Sequence, residues 1–546
     1  WKVISRNTKF SQNLINLDKR LLVNYYKSIG FYDVKLKSNF AQINQSGSAD
    51  LVYTIEEGNR YIIDKISTNV DKVFDKKIFF PLNKEYKKYT GEYYSPFKIK
   101  QLLEEIDLLI EENNLQFVEH NVEEIVKQDT INIVFNVYEG EKNLIERINI
   151  TGNYATNEDV IRSELILDEG DPLTQINLDK SISQIKARRL FKDVKYKVLD
   201  GSKNNLKVID ISVEEQPTGE IGAGAGIGTS GGTIAFNIKE NNWLGEGKGL
   251  AFDVQLDEES LAGDLTYTDP NYDFLGNSLF YRLSSERNDK PNQGYENSVI
   301  SASTGTSFEQ YRDIDVSLSL SASYDDLKTD SSASDALKKQ EGTYEDFYFN
   351  YGLDYDLRNS SFRPSSGNKT SFYQELPIVS GNNEISNTFV FTQYKTLNKA
   401  SEMIGKASIY FEAINSMDNS DVRISKRAQM PYHRLRGFEK GKVGPVDNSD
   451  FVGGNYVTAL NFSTNLPGIL NTVENIDFSY FIDLGNVWGV DYDSSIDDSN
   501  VIRSSTGIGL DWITPIGPLS FSLSQPVTKD SSDKTETFRF NLGTTF

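Results

Sequence analysis

The sequence predicts α+β repeats followed by a 16-stranded antiparallel transmembrane β-barrel. Three observations carry this expectation. The chain has 546 residues, and its character changes near Gln216-Pro217. Before that point a helix–strand–turn–strand pattern occurs three times. After it, long segments alternate apolar and polar residues with period two, and sixteen of them fit between Pro217 and Phe546.

The first repeat places an amphipathic helix over Leu17–Gly30 and strands over Phe31–Ser38 and Asp50–Gly58. The second runs Ile99–Asn113, then FVEHNVEE, then Ile131–Gly140. The third runs Leu178–Arg189, Phe191–Asp200 and Leu206–Glu215. Strands around Asp64–Val70 and Ile145–Gly152 precede the second and third copies, and Thr156-Asn157-Glu158-Asp159 carries a helix-start signal. A repeat at a fixed period defines the architecture before any single motif does. Each unit reads β-α-α-β-β over roughly 70–80 residues, the size of a small α+β domain. The expected domains are residues 1–60, 61–141 and 142–216. The first lacks its opening strand and is expected to be truncated at its N-terminus.

Residues 217–546 read as the barrel. Ile314, Val316, Leu318, Leu320, Ala322 and Tyr324 share one face, with Asp315, Ser317, Ser319, Ser321 and Ser323 on the other. Phe347, Phe349, Tyr351, Leu353 and Tyr355 repeat the pattern. Successive strand side chains point to opposite faces, so each segment has one apolar and one polar side. A soluble sandwich gives the same alternation. Against it stand segments of about 9–14 residues where soluble strands average about 5–6. Aromatics near strand ends and an even strand number also fit a membrane barrel. Closure leaves no strand edge unpaired in lipid. No segment approaches the ~20 apolar residues of a spanning helix. A mean hydropathy of −0.47 fits strands that turn only alternate residues to lipid.

Loop lengths give an orientation. The turns on the side of the repeats look short, as at Leu397–Ser401 and Thr514-Pro515. Lys328–Gly342, Asp491–Ser499 and above all Asn415–Gly453 are longer and are expected on the outside.

Composition excludes several functions. The 79 acidic and 57 basic residues give a net charge of −22, which argues against nucleic acid. Zero cysteines exclude thiolate metal sites and cysteine nucleophiles, and His120 and His433 are too few for a three-histidine site. Gly-x-Ser-x-Gly, HExxH and P-loop spacings are absent. No enzymatic residue, metal or cofactor is expected.

The long loop contains MPYHRLRGFEKGKVGP, Met430 to Pro445. FVGGNYVTALNF (Phe451–Phe462), YFIDLGNVW (Tyr480–Trp488) and WITPIGPLSFSLSQP (Trp512–Pro526) follow in order, and the chain ends FRFNLGTTF. RINITGN, RLFKDV (Arg189–Val194) and NNWLGEGKGL (Asn241–Leu250) lie around the junction. Together these resemble the Omp85 family, whose POTRA domains precede a sixteen-strand barrel. The loop motif is similar to its Arg-Gly-Phe/Tyr hallmark, as Leu435-Arg436-Gly437-Phe438, with Leu where the family often has Val.

The resemblance implies a bacterial outer-membrane barrel with its POTRA domains in the periplasm, and three repeats that would be the last of five. It implies a core insertase that folds and inserts outer-membrane proteins. The alternatives are a translocation and assembly module for autotransporters or, less favoured, a polypeptide secretion pore. The implied partners are unfolded outer-membrane clients, accessory outer-membrane lipoproteins, periplasmic chaperones, and outer-membrane lipid and lipopolysaccharide.

Two sites emerge. Arg436 carries a fork of donors suited to a carboxylate. Asp483 shares the polar strand face with Asp477, Ser479 and Phe481, which faces the lumen. The expected contact is Arg436 with Asp483, pinning the loop inside the barrel with Phe481 and Phe438 beside it, while Gly437 permits close backbone approach. The resemblance implies a lumen carboxylate where this chain has Asn461, so no second ion pair is expected there. The other site is the seam between the first strand, Gly219–Gly228, and the last. Gly222, Gly224, Gly226 and Gly228 share one face, opposite Phe540, Leu542, Gly543 and Phe546. Glycines weaken strand packing. Either they admit a lumen plug, or the seam pairs weakly and opens sideways.

Overall fold

The computed structural model describes residues 12–43, 49–273, 275–361, 363–398, 403–467, 476–498, 501–514 and 517–543. Phe546, Pro515 and the Leu397–Ser401 turn beyond Asn398 lie outside the described residues. The chain divides into two compact units, one reaching Gln216 and the other Pro217–Phe546 with Ala155–Asn157.

The repeat unit is built from apolar faces that match across helices and sheets. In the helix Pro96–Glu112, Ile99, Leu102, Ile106 and Ile110 are buried, at the three- and four-residue spacing of one helical face. They pack on Ile131, Ile133, Phe135 and Val137, alternate residues of the strand Thr130–Glu139. Burying each such side chain contributes about 1.5–3 kcal/mol. That strand is central: Ile62–Val70 pairs with it in parallel and Val118–Lys127 antiparallel. The next repeat has the same order, with Leu206–Glu215 between Leu144–Thr151 and Phe191–Asp200. Its helix Gln175–Ala187 starts where the Thr174 side chain accepts a hydrogen bond from the Asn177 amide. The signal at Thr156–Asp159 starts a short helix, Glu158–Arg162. The first repeat shows the helix Gln12–Ser28 and the paired strands Lys35–Ile43 and Ala49–Glu56.

The second unit is a closed barrel of sixteen antiparallel strands. They are β1 (Gly219–Gly228), β2 (Gly231–Trp243), β3 (Lys248–Asp257), β4 (Ser260–Asp269), β5 (Ser278–Lys290), β6 (Tyr295–Tyr311), β7 (Ile314–Thr329) and β8 (Gly342–Asp356). The second half comprises β9 (Gly367–Val379), β10 (Glu384–Asn398), β11 (Met403–Ser416), β12 (Tyr456–Asn465), β13 (Ile476–Trp488), β14 (Arg503–Thr514), β15 (Gly517–Thr528) and β16 (Phe538–Leu542).

The apolar face of each strand points outward. Ile234 is 60 % exposed, Leu283 58 %, Ile300 59 % and Leu320 51 %. A soluble sandwich would bury these residues between its sheets, so their exposure on a closed wall identifies a lipid-facing surface. Inside, Asp346 and Asp483 are fully buried. Among the described residues no helix is long and apolar enough to cross a membrane.

The three longer loops named from the sequence lie at the end opposite the start of β1, as expected, but loop length does not separate the two ends throughout. At the end where β1 begins, the β6–β7 turn is tight, but ten residues separate β8 from β9 and ten separate β12 from β13. At the opposite end, the β1–β2 and β3–β4 connections are tight while β11–β12 is very long. Strand alternation marks where strands lie, but their ends depend on stagger around the barrel, which period two does not encode.

Candidate functional site: the loop anchor and the barrel seam

The long loop runs from Met417 to Asn455, between β11 and β12. Its core is apolar: Val422, Ala428, Met430, Leu435, Phe438 and Val443 pack with Val457 and Ala459 of β12 and Val487 of β13. This burial folds the loop back inside the barrel.

The anchor is a two-pronged ion pair. Arg436 Nε donates to Asp483 Oδ2 at 2.7 Å and Nη2 donates to Oδ1 at 2.9 Å. The Arg436 amide also donates to Oδ2, at 3.2 Å. The guanidinium lies 3.4 Å from the centre of the Phe481 ring, which is itself fully buried. Planarity, a fixed donor fork and weak hydration make Arg suited to this stacked, two-pronged site, where Lys would offer neither a flat face to the ring nor two parallel N–H donors. Gly437 takes φ +90°, and a Cβ there would lie 3.2 Å from Ser524 Cβ and 3.3 Å from Ser505 Cβ. Glycine is thus required by both conformation and space.

Phe438 packs with Leu435 and Val443 of the loop, Val457 and Ala459 of β12 and Val487 of β13. Asn461 takes a place of its own: its amide donates to Asp483 Oδ1 at 2.8 Å and to the Arg434 carbonyl at 2.6 Å. A second carboxylate there would repel Asp483; the amide instead ties strand, loop and carboxylate together.

A second anchor lies upstream. Arg423 is fully buried and donates to Asp346 Oδ2 of β8 at 2.5 Å and to Glu384 Oε2 of β10 at 3.0 Å, while Asp325 of β7 is 3.8 Å away. Its guanidinium sits 4.2 Å from the Tyr344 ring centre. Arg427 pairs with Asp491 and donates to Asn455 Oδ1 at 3.1 Å. Sequence reasoning missed these residues. The available signal was the basic run from Arg423 to Arg436, set in a chain of net charge −22.

The seam contrasts with the rest of the wall. Among the described residues, β16 and β1 pair only at Asn541–Gly228 and Leu542–Ile227. The Thr229 amide adds one bond to the Phe540 carbonyl at 3.1 Å. A cleft lined by Gly224, Gly226, Ile227, Asn541 and Gly543 opens beside it. A Cβ at Gly228 would lie 2.7 Å from the Phe540 carbonyl oxygen, and one at Gly226 3.1 Å from the Leu542 oxygen. Gly222 instead faces the Asn237 side chain of β2, and Gly224 pairs with Ala235 of β2. Among the described residues, the contacts with β16 fall at the far end of the glycine row, at Gly226 and Gly228.

Comparison with known proteins agrees with this architecture. The Omp85 superfamily domain matches residues 242–546. A POTRA model, the surface antigen variable number repeat, matches residues 144–216. The outer membrane protein assembly factor BamA of Neorickettsia risticii is 25 % identical over 553 residues, covering 98 % of this chain and 73 % of that protein. BamA of Neisseria meningitidis serogroup B is 23 % identical, covering 100 % of this chain and 74 % of that protein. The crystal structure of BamA from Haemophilus ducreyi lacking POTRA domains 1–3 superposes with a TM-score of 0.69 at 22 % identity, covering 89 % of this chain and 100 % of that one. With more than half of its residues matched by the superfamily model and a POTRA domain before them, the chain belongs to the Omp85 superfamily.

Proposed function

We propose that this chain is the core insertase of an outer-membrane β-barrel assembly machinery, working through the seam between β1 and β16. The carrying observation is the seam itself: among the described residues, the first and last strands of a closed membrane barrel pair at two positions. An unpaired strand edge templates the addition of another strand. Parting β1 from β16 costs few backbone bonds and exposes an edge facing the bilayer, where a client strand would pair. The work is strand exchange rather than bond chemistry, and it uses no cofactor. Similarity along the whole chain to assembly factors named BamA supports this reading over a TamA-like module or a secretion pore.

On this reading the barrel sits in the bacterial outer membrane and the repeats in the periplasm. There their outer strands, such as Val118–Lys127, offer edges to clients, chaperones or accessory lipoproteins. The test is reconstitution in liposomes. The chain should accelerate folding of an added unfolded outer-membrane protein while passing little small solute. Free solute passage without accelerated folding would identify a pore instead.

A further inference from the structure

The long loop does more than sit in the lumen, because several of its contacts reach the seam. The Tyr432 hydroxyl lies 2.9 Å from the Thr229 hydroxyl, just past the end of β1, and donates to Glu536 Oε1 at 2.9 Å, just before β16. Arg539 of β16 is buried and spreads over the loop. Its Nη1 donates to the Tyr432 carbonyl at 2.6 Å and its Nη2 to the Phe438 carbonyl at 2.9 Å. Its Nε donates to Glu536 at 2.7 Å, and its guanidinium lies 3.4 Å from the Tyr432 ring centre. The chain entering β16 is also stitched to the motif: the Glu536 amide donates to the Gly437 carbonyl at 3.1 Å, and the Glu439 amide to the Lys534 carbonyl at 3.0 Å.

These contacts have a directional consequence. Arg539 fixes β16 to the loop, and Tyr432 carries the connection across to β1. Beside the two backbone pairings among the described residues, the hydroxyl bridge adds a side-chain connection between the two strands. Arg436 and Arg539 act on either side of Gly437, so the loop's seating on Asp483 and the closure of the seam share one short stretch of chain.

We propose that Tyr432 and Arg539 form a latch through which the seated loop holds the seam closed. Both are positioning residues: they touch no client and act on the pairing of β1 with β16. The proposal rests on the reading that the seam opens. It makes loop seating and seam opening linked equilibria, so that a client strand displacing β16 must also break the Tyr432 bridge.

The test is hydrogen exchange of the reconstituted full chain, comparing peptides that hold Ile227–Thr229 with peptides from β6 and β7. Tyr432→Phe keeps the ring beneath Arg539 and removes only the bridge. It should speed exchange at the seam about five-fold, the worth of one net hydrogen bond. Arg539→Gln should speed it at least ten-fold. Exchange in β6 and β7 should not change in either variant. An unchanged seam in both variants, or an equal rise in β6 and β7, would overturn the latch. If Arg539→Gln does not fold, Tyr432→Phe decides alone. This readout needs no client. The seam reading fails separately, if a chain locked by Ile227→Cys and Leu542→Cys assembles clients at full rate.

Discussion

The β6–β7 wall and the β1–β16 seam are parts of one sheet built to opposite specifications. β6 pairs with β7 without a break from Tyr295–Thr329 to Glu309–Asp315, and its outward face alternates Ile300, Ala302 and Thr304 against Tyr324, Ala322 and Leu320. Among the described residues the seam is paired at two positions and rich in glycine, and side-chain bonds to a loop supplement it. The wall is held by its own backbone, while loop side chains also contact the seam. On the proposed reading, those contacts are what a client strand must release.

Unseating the loop should break the comparison most strongly. Asp483→Arg leaves Arg436 without its partner and adds a second buried cation, a loss beyond the ~3–5 kcal/mol typical of breaking a buried ion pair. Protease should then cleave between Met417 and Asn455, and the barrel should lose its resistance to unfolding in warm detergent. An uncleaved loop would refute the anchor.

Arg423→Met removes the guanidinium that pairs with the buried Asp325, Asp346 and Glu384, which should cost about 3–5 kcal/mol. The damage should appear in β7, β8 and β10, as a lowered thermal midpoint of the barrel. Because Arg436 and Arg539 are untouched, the seam should keep its wild-type separation. That separation is measurable by spin labels at Ala225→Cys and Leu523→Cys, on a chain with no native cysteine.

Two smaller effects sharpen the contrast. Gly228→Val drives a Cβ against the Phe540 backbone and should widen the label distance, at about 1–3 kcal/mol of overpacking. Gly222→Val meets only the flexible Asn237 side chain and should leave the distance alone. Asn461→Ala removes the amide from Asp483 and should cost about 1 kcal/mol in denaturant midpoint, with the loop still seated.

The strand count, the outward apolar face and the Arg436–Asp483 contact were legible in the sequence, each for a local reason. Alternation assigns Asp483 to the lumen, and the donor fork of Arg436 names the partner type. The Arg423 cluster was not legible. Its carboxylates come from three strands far apart in sequence, and only barrel closure brings Asp325, Asp346 and Glu384 to one point. The seam was half legible: the glycine row marks β1, but which glycines meet β16 depends on register. Period two fixes a side chain's face and says nothing of how far a strand has slid. Tyr432 and Arg539 escaped for the same reason, since their pairing needs both loop and seam in place.

The central claim is that the seam must open for assembly and the wall need not. The direct test compares two disulfide locks in the reconstituted chain. Ile227→Cys with Leu542→Cys closes the seam, and Ala302→Cys with Ala322→Cys closes an equivalent outward pair in the wall. The account predicts that oxidation abolishes client folding in the first chain, that reduction restores it, and that the second chain is unaffected. Full activity of the oxidised seam lock would contradict it.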